Sequence, residues 1–426
     1  MERISDAHLE AIRNFLKRGT KVLDVMREAV LKHYRWNDLP NPVRGNVYGV
    51  DGSRMSRRLT GAIIYAVSSY AFGRDPYWWT DIGVLYPYSN AEDRVRVHME
   101  ILEKRIGAMA YELGGELILM DGTLSGALVR PPTYADSTTR ELYNQHGKKL
   151  FETAVDFLQF LDKWWERWRR ELKKTKFISS PSLLSRGLGD KDIFTLLMEN
   201  RSKPILQSLW WISDVEDLIV LFEYLEYLHA LDRLFGCETG AIAKTFYKRE
   251  VVGKTYEMEK ENLKKKLGSR ELLNVASMIV DTPVVSTLTF RRGYLKFDYA
   301  KGPKSAISHL VVDLMREEFF QNLRDILVLE ENKILGVKIK PAYVRFADGG
   351  LVYLLEVPEG QDFEETLAKI VAVAGDEYII PLEMAHKSVV ITLGEFTGYV
   401  NSILSSLVGE DESYLNFLRY GREPLE

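Results

Sequence analysis

One pattern of apolar and polar positions occurs twice in the chain: an apolar run that ends at Asp-Gly and a small hydroxyl residue. Residues 46–53 read NVYGVDGS, and residues 117–123 read LILMDGT. The β-branched and aromatic residues of such runs favour a pleated strand, and the glycine permits a sharp turn after it. The pattern therefore predicts two strands whose last residues are Asp51 and Asp121. Ligands of open α/β sheets bind at this end of the strands.

The segments around these two runs have the periodicities of further helices and strands. Apolar residues recur at helical spacing over residues 6–36, which predicts an amphipathic helix. The predicted elements that follow are a polar turn over 54–58, strands over 59–72 and 82–86, and a helix over 91–113. Tight linkers make the first three strands an antiparallel meander, and the helical crossover makes the fourth strand parallel to the first. This is the opening half of a ribonuclease-H-like fold, whose first and fourth strands carry neighbouring acidic residues.

The remainder of the chain is mainly helical before strand patterns return. We predict helices over 134–176, 215–235, 306–323, 363–374 and 395–408, strands over 283–290 and 294–299, and a hairpin of 341–346 with 351–357. The fold class is therefore α/β, a ribonuclease-H-like mixed sheet flanked by helices, with a large helical insertion. The expected divisions are an N-terminal helical segment 1–45, the first part of the catalytic fold 46–135, the helical insertion 136–280, and a completing part 281–426.

Composition excludes several protein classes. The chain has 426 residues and a formal net charge of −4, so no overall basicity indicates a polyanionic partner. Cys237 is the only cysteine, which excludes an intrachain disulfide. The sequence contains no apolar run of roughly 18–20 residues that would cross a bilayer, and it begins without the apolar stretch of a signal peptide. We therefore expect a cytoplasmic enzyme or binding protein with no membrane partner.

The two aspartates are candidates for a divalent metal site. If their strands are neighbours, Asp51 and Asp121 lie together, and their like charges favour a bound cation. Mg²⁺ and Mn²⁺ prefer oxygen ligands, and a pair of such ions can stabilise the attacking and leaving oxygens of a phosphodiester. A third acid is expected from the helix between the strands, where Glu100 and Glu103 are the candidates. We prefer Glu103 because it adjoins the apolar stripe at 102–106, and Glu100 stays open.

These motifs, together with one near the C-terminus, resemble those of the NurA nucleases. The resemblance rests on NVYGVDGSRM at 46–55, the acidic helix, LILMDGTLSG at 117–126 and YIIPLEMAH at 378–386. It covers most of the chain in order and spacing and is weak in the helical middle. By position, the metal-binding aspartates, the third acid and the late active-site histidine of the family match Asp51, Asp121, Glu103 or Glu100, and His386.

The resemblance also implies an activity and partners. It implies a ribonuclease-H-like, Mn²⁺-dependent (or Mg²⁺-dependent) nuclease with 5′–3′ exonuclease and single-strand endonuclease activity. Its implied role is DNA end resection in double-strand break repair by homologous recombination. The implied partners are single- and double-stranded DNA ends, a second copy of the chain in a ring-shaped homodimer, and a HerA-type hexameric translocase. A histidine such as His386 can ligate an ion or assist the leaving oxygen in such a site.

Two basic segments are candidates for DNA contact. Arg54, Arg57 and Arg58 lie in the predicted turn after the first motif, and planar guanidinium groups suit phosphates. Ordinary solvated turn charges are the alternative. The segment 163–176 has seven basic and two acidic residues. Its basic face can neutralise phosphates, whereas its tryptophans are more typical of packing than of base stacking. The candidates on this basic face are Arg167, Arg170 and Lys173.

The cluster Tyr77, Trp78 and Trp79 lies in a predicted loop after the long strand. Exposed aromatic side chains can stack on an unpaired base or form a dimer contact. Packing in the core is the third possibility. The sequence leaves these three alternatives open.

Two other functional classes compete with the nuclease. An actin-like ATPase or sugar kinase also has an aspartate after its first strand, but its loop normally reads Asp-x-Gly-Ser/Thr. The sequence Asp51-Gly52-Ser53 lacks the extra residue. A non-catalytic DNA clamp or translocase adaptor is the other alternative, and the intact acidic set argues against it.

Overall fold

The computed structural model describes residues 5–85, 91–129, 144, 148–181, 215–244, 248–269, 279–296, 319–330, 333–337, 339–376, 378–414 and 416. Most of the helix predicted over 306–323 lies outside these residues, as does the start of the helix predicted over 134–176. Within the described ranges, no helix combines the length and the apolarity needed to cross a membrane.

A nine-stranded mixed sheet forms the centre of the structure. Its strands are β1 (Val47–Arg58), β2 (Ile63–Phe72), β3 (Tyr77–Leu85), β4 (Leu117–Asp121), β5 (Phe177–Pro181), β6 (Thr239–Ala243), β7 (Gly293–Lys296), β10 (Ile339–Arg345) and β11 (Tyr353–Pro358). A separate two-stranded sheet contains β8 (Leu327–Glu330) and β9 (Lys333–Val337). The order across the large sheet is β5-β3-β2-β1-β4-β6-β11-β10-β7. The antiparallel meander β1–β2–β3 and the parallel pairing of β4 with β1 are confirmed.

Helices flank this sheet, which confirms the mixed α/β architecture. They are α1 (Asp6–His33), α2 (Ala91–Glu112), α3 (Leu124–Val129), α4 (Lys148–Thr175), α5 (Val215–Phe235), α6 (Glu250–Leu267), α7 (Asp281–Ser286), α8 (Gln321–Ile326), α9 (Phe363–Val373), α10 (Ile380–Val389) and α11 (Leu393–Glu410). A 3₁₀ turn follows at Glu412–Tyr414.

The helices give the sheet two different faces. On the closed face, α2 packs on β1, β2 and β4, and α5 packs on α2. This packing buries Leu102 and Ile106 of the predicted apolar stripe. On the open face, α10 packs on β1 and β2, and Phe396 and Val400 of α11 pack beside them. Because successive side chains of a strand point to opposite faces, each strand contributes to both.

Two strand boundaries predicted from the sequence are wrong. The expected turn at 54–58 is the second half of β1, which stays paired with β2 as far as Arg58, so Asp51 lies within its strand and is not its last residue. Strand β3 begins at Tyr77 rather than near residue 82, so the Tyr77–Trp79 cluster lies in a strand and not in a loop. The reason is the same in both cases: apolar β2 offers a hydrogen-bonding edge on each side, and this pairing outweighs local composition.

The strand predicted over 283–290 is also wrong, because Asp281–Ser286 form α7. The Asp281 carboxylate accepts hydrogen bonds from the N–H groups of Val251 and Val252 and from the Tyr343 hydroxyl. These contacts stabilise the start of α7 although several of its residues are β-branched. The preference of β-branched residues for strands contributes only a small free energy. The hairpin predicted near the C-terminus is confirmed as β10–β11.

The segment 136–280, expected as a helical insertion, also supplies strands to the large sheet. Strand β5 lies at one edge, and β6 lies in the middle between β4 and β11. Strand β6 is parallel to β4, with Ile242 opposite Asp121. The end of β6 therefore lies beside the second motif aspartate. The division of the chain into domains stays a prediction.

Candidate metal centre

The parallel pairing of β1 and β4 brings the two motif aspartates together. Val50 lies opposite Met120, so Asp51 and Asp121 are the next residues on neighbouring strands. A carboxylate oxygen of each lies within 4.8 Å of the other and of a ring nitrogen of His386. The structure thus assembles three of the residues that the sequence singled out.

His386 reaches this position because α10 lies very close to β1. A Cβ on Gly49 would lie 2.3 Å from the backbone carbon of Pro381, so only glycine permits the approach. His386 Nδ1 lies 2.6 Å from Oδ2 of Asp51, and the other oxygen of Asp51 accepts the N–H of Gly52 at 2.8 Å. Asp51 is therefore held from two sides, while the His386 side chain is 58% exposed.

Glu103 approaches from the closed face, on α2. It uses the space that Gly52 leaves: a Cβ there would lie 2.5 Å from Oε1 of Glu103. Burial raises the pKa of Glu103, and Asp51 and Asp121 raise it further, whereas the Lys104 ammonium acts in the opposite direction. The charge of Glu103 therefore interacts with both aspartates.

Glu100 has different partners on the same helix. Its carboxylate lies 3.6 Å from Nζ of Lys104 and 4.0 Å from Nε of Arg96. Both Glu100 and Glu103 line a cavity of about 410 Å³ that also contains the two aspartates. Because the charge of Glu103 interacts with both aspartates, the geometry supports it as the third acid. Its role stays a prediction.

Two residues that the sequence reasoning missed contact Asp121. Lys244, directly after β6, places its ammonium 3.5 Å from Oδ2 of Asp121 and 4.0 Å from the centre of the Tyr378 ring. The Tyr378 hydroxyl donates to Oδ1 of Asp121 at 3.5 Å. Burial raises the pKa of Asp121, Lys244 opposes this, and Asp51 adds to it. Tyr378 stands in the C-terminal signature, but Lys244 has no sequence signal because its place depends on β6 lying beside β4.

The donor set fits a hard divalent cation. Two adjacent carboxylates, an imidazole and a nearby third carboxylate are ligand types found at Mn²⁺ and Mg²⁺ sites. In the part of the chain that the structure describes, Asp51, Asp121 and His386 are the group whose ligand atoms are close enough to share an ion. A cation would also offset the repulsion between the neighbouring carboxylates.

The arginines of the first basic segment lie along β1 rather than in a loop. Arg54 donates from Nη1 to the carbonyl of Glu92, 2.7 Å away at the start of α2. Arg57 lies on the open face, with Nη1 3.5 Å from the Thr397 hydroxyl, and Arg58 is exposed. The expected loop position is therefore wrong, and Arg54 fastens β1 to α2. Contact of these arginines with DNA stays a prediction.

The second basic segment forms the last turns of α4. Trp165 and Trp168 are buried, so the packing role predicted for its aromatic face is confirmed. Arg167, Arg170 and Lys173 are exposed on the other side of the helix. They are accessible to a polyanion, and their contact with DNA stays a prediction.

Comparison with known proteins identifies the family of the chain. A family model described as the NurA domain matches residues 45–391. The DNA double-strand break repair nuclease NurA of Pyrococcus furiosus is 27% identical over 484 residues, which covers 100% of this chain and 98% of that protein. A crystal structure of NurA matches with a TM-score of 0.73 at 25% identity, and it covers 96% of this chain and 99% of its own.

A second crystal structure, of NurA bound to dAMP and manganese, matches with a TM-score of 0.71 at 26% identity. The match covers 95% of this chain and 98% of that one. Sequence and structure therefore agree over nearly the whole length of these relatives. Since the family model matches most of the chain, the protein belongs to the NurA family.

Proposed function

We propose that this protein is a metal-dependent DNA nuclease that acts at DNA ends in double-strand break repair. The observation that carries the proposal is the cluster of Asp51, Asp121 and His386 in a chain of the NurA family. The Pyrococcus relative is named as a double-strand break repair nuclease, and a related structure holds dAMP and manganese. Both support the same activity here.

The residues have separate roles in this proposal. Asp51, Asp121 and Glu103 hold Mn²⁺ or Mg²⁺, and His386 acts as a further ligand or assists the leaving oxygen. When bound, such ions neutralise phosphate charge and activate a water. Asp51 keeps the imidazole of His386 in place through Nδ1. Lys244 adds a positive charge beside Asp121, where a substrate phosphate would approach.

Cleavage of an end-labelled linear duplex tests the proposal. We expect cutting with Mn²⁺ or Mg²⁺ and none with EDTA. Asp51→Asn and Asp121→Asn should each lower the rate by about 1,000-fold, because metal ions supply several kcal/mol of charge stabilisation. The exposed Asp38→Asn is the matched control and should cut like the wild type. Wild-type cutting by a folded Asp121→Asn variant would contradict the proposal.

The polarity of cutting is a finer part of the proposal. We propose 5′–3′ exonuclease activity on duplex ends and endonuclease activity on single strands, which family membership supports. Substrates labelled at the 5′ end and at the 3′ end distinguish the two directions. Early release of the 3′ label from a duplex would oppose the proposed direction.

We also propose that the catalytic part is ribonuclease-H-like. The support is the order β3-β2-β1-β4-β6, with an antiparallel meander, a helical crossover through α2 and acidic residues on the first and fourth strands. The same arrangement places Asp51, within β1, beside Asp121 at the end of β4.

The proposed partners are a HerA-type hexameric translocase and a second copy of this chain. Family membership is their support. Light scattering measures the mass of the free protein, and a monomer at micromolar concentration would oppose the homodimer. Co-purification with a HerA-type protein tests the translocase.

The two alternative functions have less support. The family match favours a nuclease over an actin-like ATPase or kinase. A non-catalytic clamp would have no need for Glu103 in the space beside Gly52, next to two further carboxylates.

A further inference from the structure

A row of aromatic side chains crosses the open face of the sheet and ends at the metal centre. The strand register places Asp51 opposite Tyr70, Tyr70 opposite Trp78, and Trp78 opposite Phe177. Residues opposite each other in a sheet share a face. The aromatic row (Tyr70, Trp78 and Phe177) therefore runs from β2 over β3 to β5. Since strands lie about 4.8 Å apart, Phe177 is about 15 Å from Asp51.

The rings of the aromatic row are accessible and held in place. Trp78 is 41% exposed and Phe177 is 43% exposed. The Tyr70 and Trp78 rings are 6.1 Å apart at 78°, and the Trp78 and Phe177 rings are 5.7 Å apart at 73°. These rings do not stack on one another, so a flat base can lie parallel to one of them. Trp78 Nε1 donates to Oγ of Ser68 at 2.5 Å, which fixes the indole.

The aromatic row lines one wall of a groove with a cavity volume of about 780 Å³. The other wall is the segment 388–391, which includes the end of α10, together with Glu395, Phe396 and Tyr399 of α11. The volume lies within the range of pockets that hold organic ligands, about 300–1,000 Å³. The wall at 388–391 begins two residues after His386, so the groove and the metal centre share α10 as a border.

A lysine lies at the far end of the groove. Lys176 lines the groove there, where its ammonium pairs with Asp75 at 3.2 Å. Aromatic rings beside a lysine suit a single-stranded nucleic acid, because bases stack on rings and an ammonium group neutralises a phosphate.

We propose that this groove binds the unpaired bases of a DNA strand that enters or leaves the metal centre. The proposal rests on the proposed nuclease function and adds a base-stacking site to it. A single strand is favoured over a second copy of the chain for two reasons. The aromatic row is continuous with Asp51, and Lys176 at its far end can contact a phosphate.

The test measures binding of a short fluorescent oligothymidylate to the full chain in EDTA, where no cleavage occurs. Stacking contributes about 1–3 kcal/mol per base, so Trp78→Ala and Phe177→Ala should each weaken binding by about 10-fold or more. Trp78→Phe keeps an aromatic face and should retain most of the affinity. Phe290→Ala, which truncates an aromatic side chain that is 78% exposed elsewhere, is the matched control and should bind like the wild type.

An abasic oligonucleotide of the same length separates stacking from a structural effect. The groove variants should bind it as well as the wild type does. Wild-type affinity of both alanine variants for oligothymidylate would overturn the proposal, and so would equal losses on both oligonucleotides. A dimer that becomes a monomer on Trp78→Ala would assign the groove to a subunit interface and overturn it too. Failure of the wild type to cut DNA with Mn²⁺ would instead overturn the nuclease function, which this binding assay does not depend on.

Discussion

Two ion pairs, one on each face of the sheet, differ in how deeply they are buried. On the closed face, Arg94 donates to Glu223 at 2.7 and 2.8 Å, and both side chains are 4% exposed. On the open face, Lys387 and Glu383 pair on the surface of α10 with 64% and 46% exposure. Removing one partner of a buried pair leaves an uncompensated charge, whereas water replaces an exposed partner. The Arg94–Glu223 pair is therefore a fixed support within the closed face, whereas the Lys387–Glu383 pair lies where a ligand can reach it.

The candidate metal centre contains residues from both faces. The closed face supplies Glu103 through the gap at Gly52, and the open face supplies His386 from α10. Asp51 lies between them on β1. Rigid support behind the carboxylates and access in front of them suit a site that must hold an ion and admit a polymer.

The largest effect is expected from breaking the buried pair. Arg94→Met leaves the Glu223 carboxylate without its main partner and should lower the free energy of unfolding by about 3–5 kcal/mol. Lys387→Met on the open face is the control and should cost at most about 1 kcal/mol. Urea unfolding of both variants measures the difference. Equal losses would show that the two faces do not differ in this way.

The next largest effect is expected on the pH dependence of stability, and it concerns Asp232 of α5. The Asp232 carboxylate accepts hydrogen bonds from the N–H groups of Asn322 and Leu323. Burial raises its pKa from 3.8 to about 6. The folded state therefore binds this proton more tightly than the unfolded chain. The resulting stability is complete below pH 3.8 and is lost as the pH rises through about 6, a loss of about 3 kcal/mol.

Asp232→Asn should remove this loss. The change in unfolding free energy between about pH 4 and about pH 7 should then be smaller than in the wild type by about 2.4 kcal/mol. Asp38→Asn, at an exposed site, should keep the wild-type pH dependence. The same pH dependence in both variants would show that Asp232 does not titrate as expected.

A smaller effect, on the rate of DNA cleavage, is expected at Gly52, where side chains from the two faces meet. In Gly52→Ala the added methyl group would lie 2.5 Å from Oε1 of Glu103 and 2.8 Å from Cγ of Met99, so both side chains must move. Displacing a catalytic group by about 1 Å costs about 100-fold in rate. We therefore expect DNA cleavage to fall by about that factor while the protein stays folded. Gly360→Ala has open space around it and should leave cleavage unchanged. Wild-type cleavage by Gly52→Ala would remove Glu103 from the mechanism.

Much of the candidate site is visible in the sequence because its residues stand in local motifs. Asp51 and Asp121 each end an apolar run, and His386 stands in a short signature. The structure brings all three together. The helix Val215–Phe235 was predicted with its observed bounds because its long apolar run is bordered by charged and glycine residues.

The features that the sequence did not predict depend on distant partners. The second half of β1 is polar, and its pairing with β2 makes it a strand. The start of α7 is fixed by contacts from Asp281 to α6 and β10. Lys244 reaches Asp121 because β6 lies between β4 and β11. Local periodicity carries no information about such neighbours, so these features follow only from the folded structure.

The contact between His386 and Asp51 joins residues that are 335 positions apart in the chain. During synthesis β1 is made long before α10, and contacts between distant parts of a chain form late in folding. A partly synthesised chain therefore contains both aspartates but not their histidine. The full set of proposed ligands exists only after nearly the whole chain has been translated, so an unfinished chain lacks the complete candidate site.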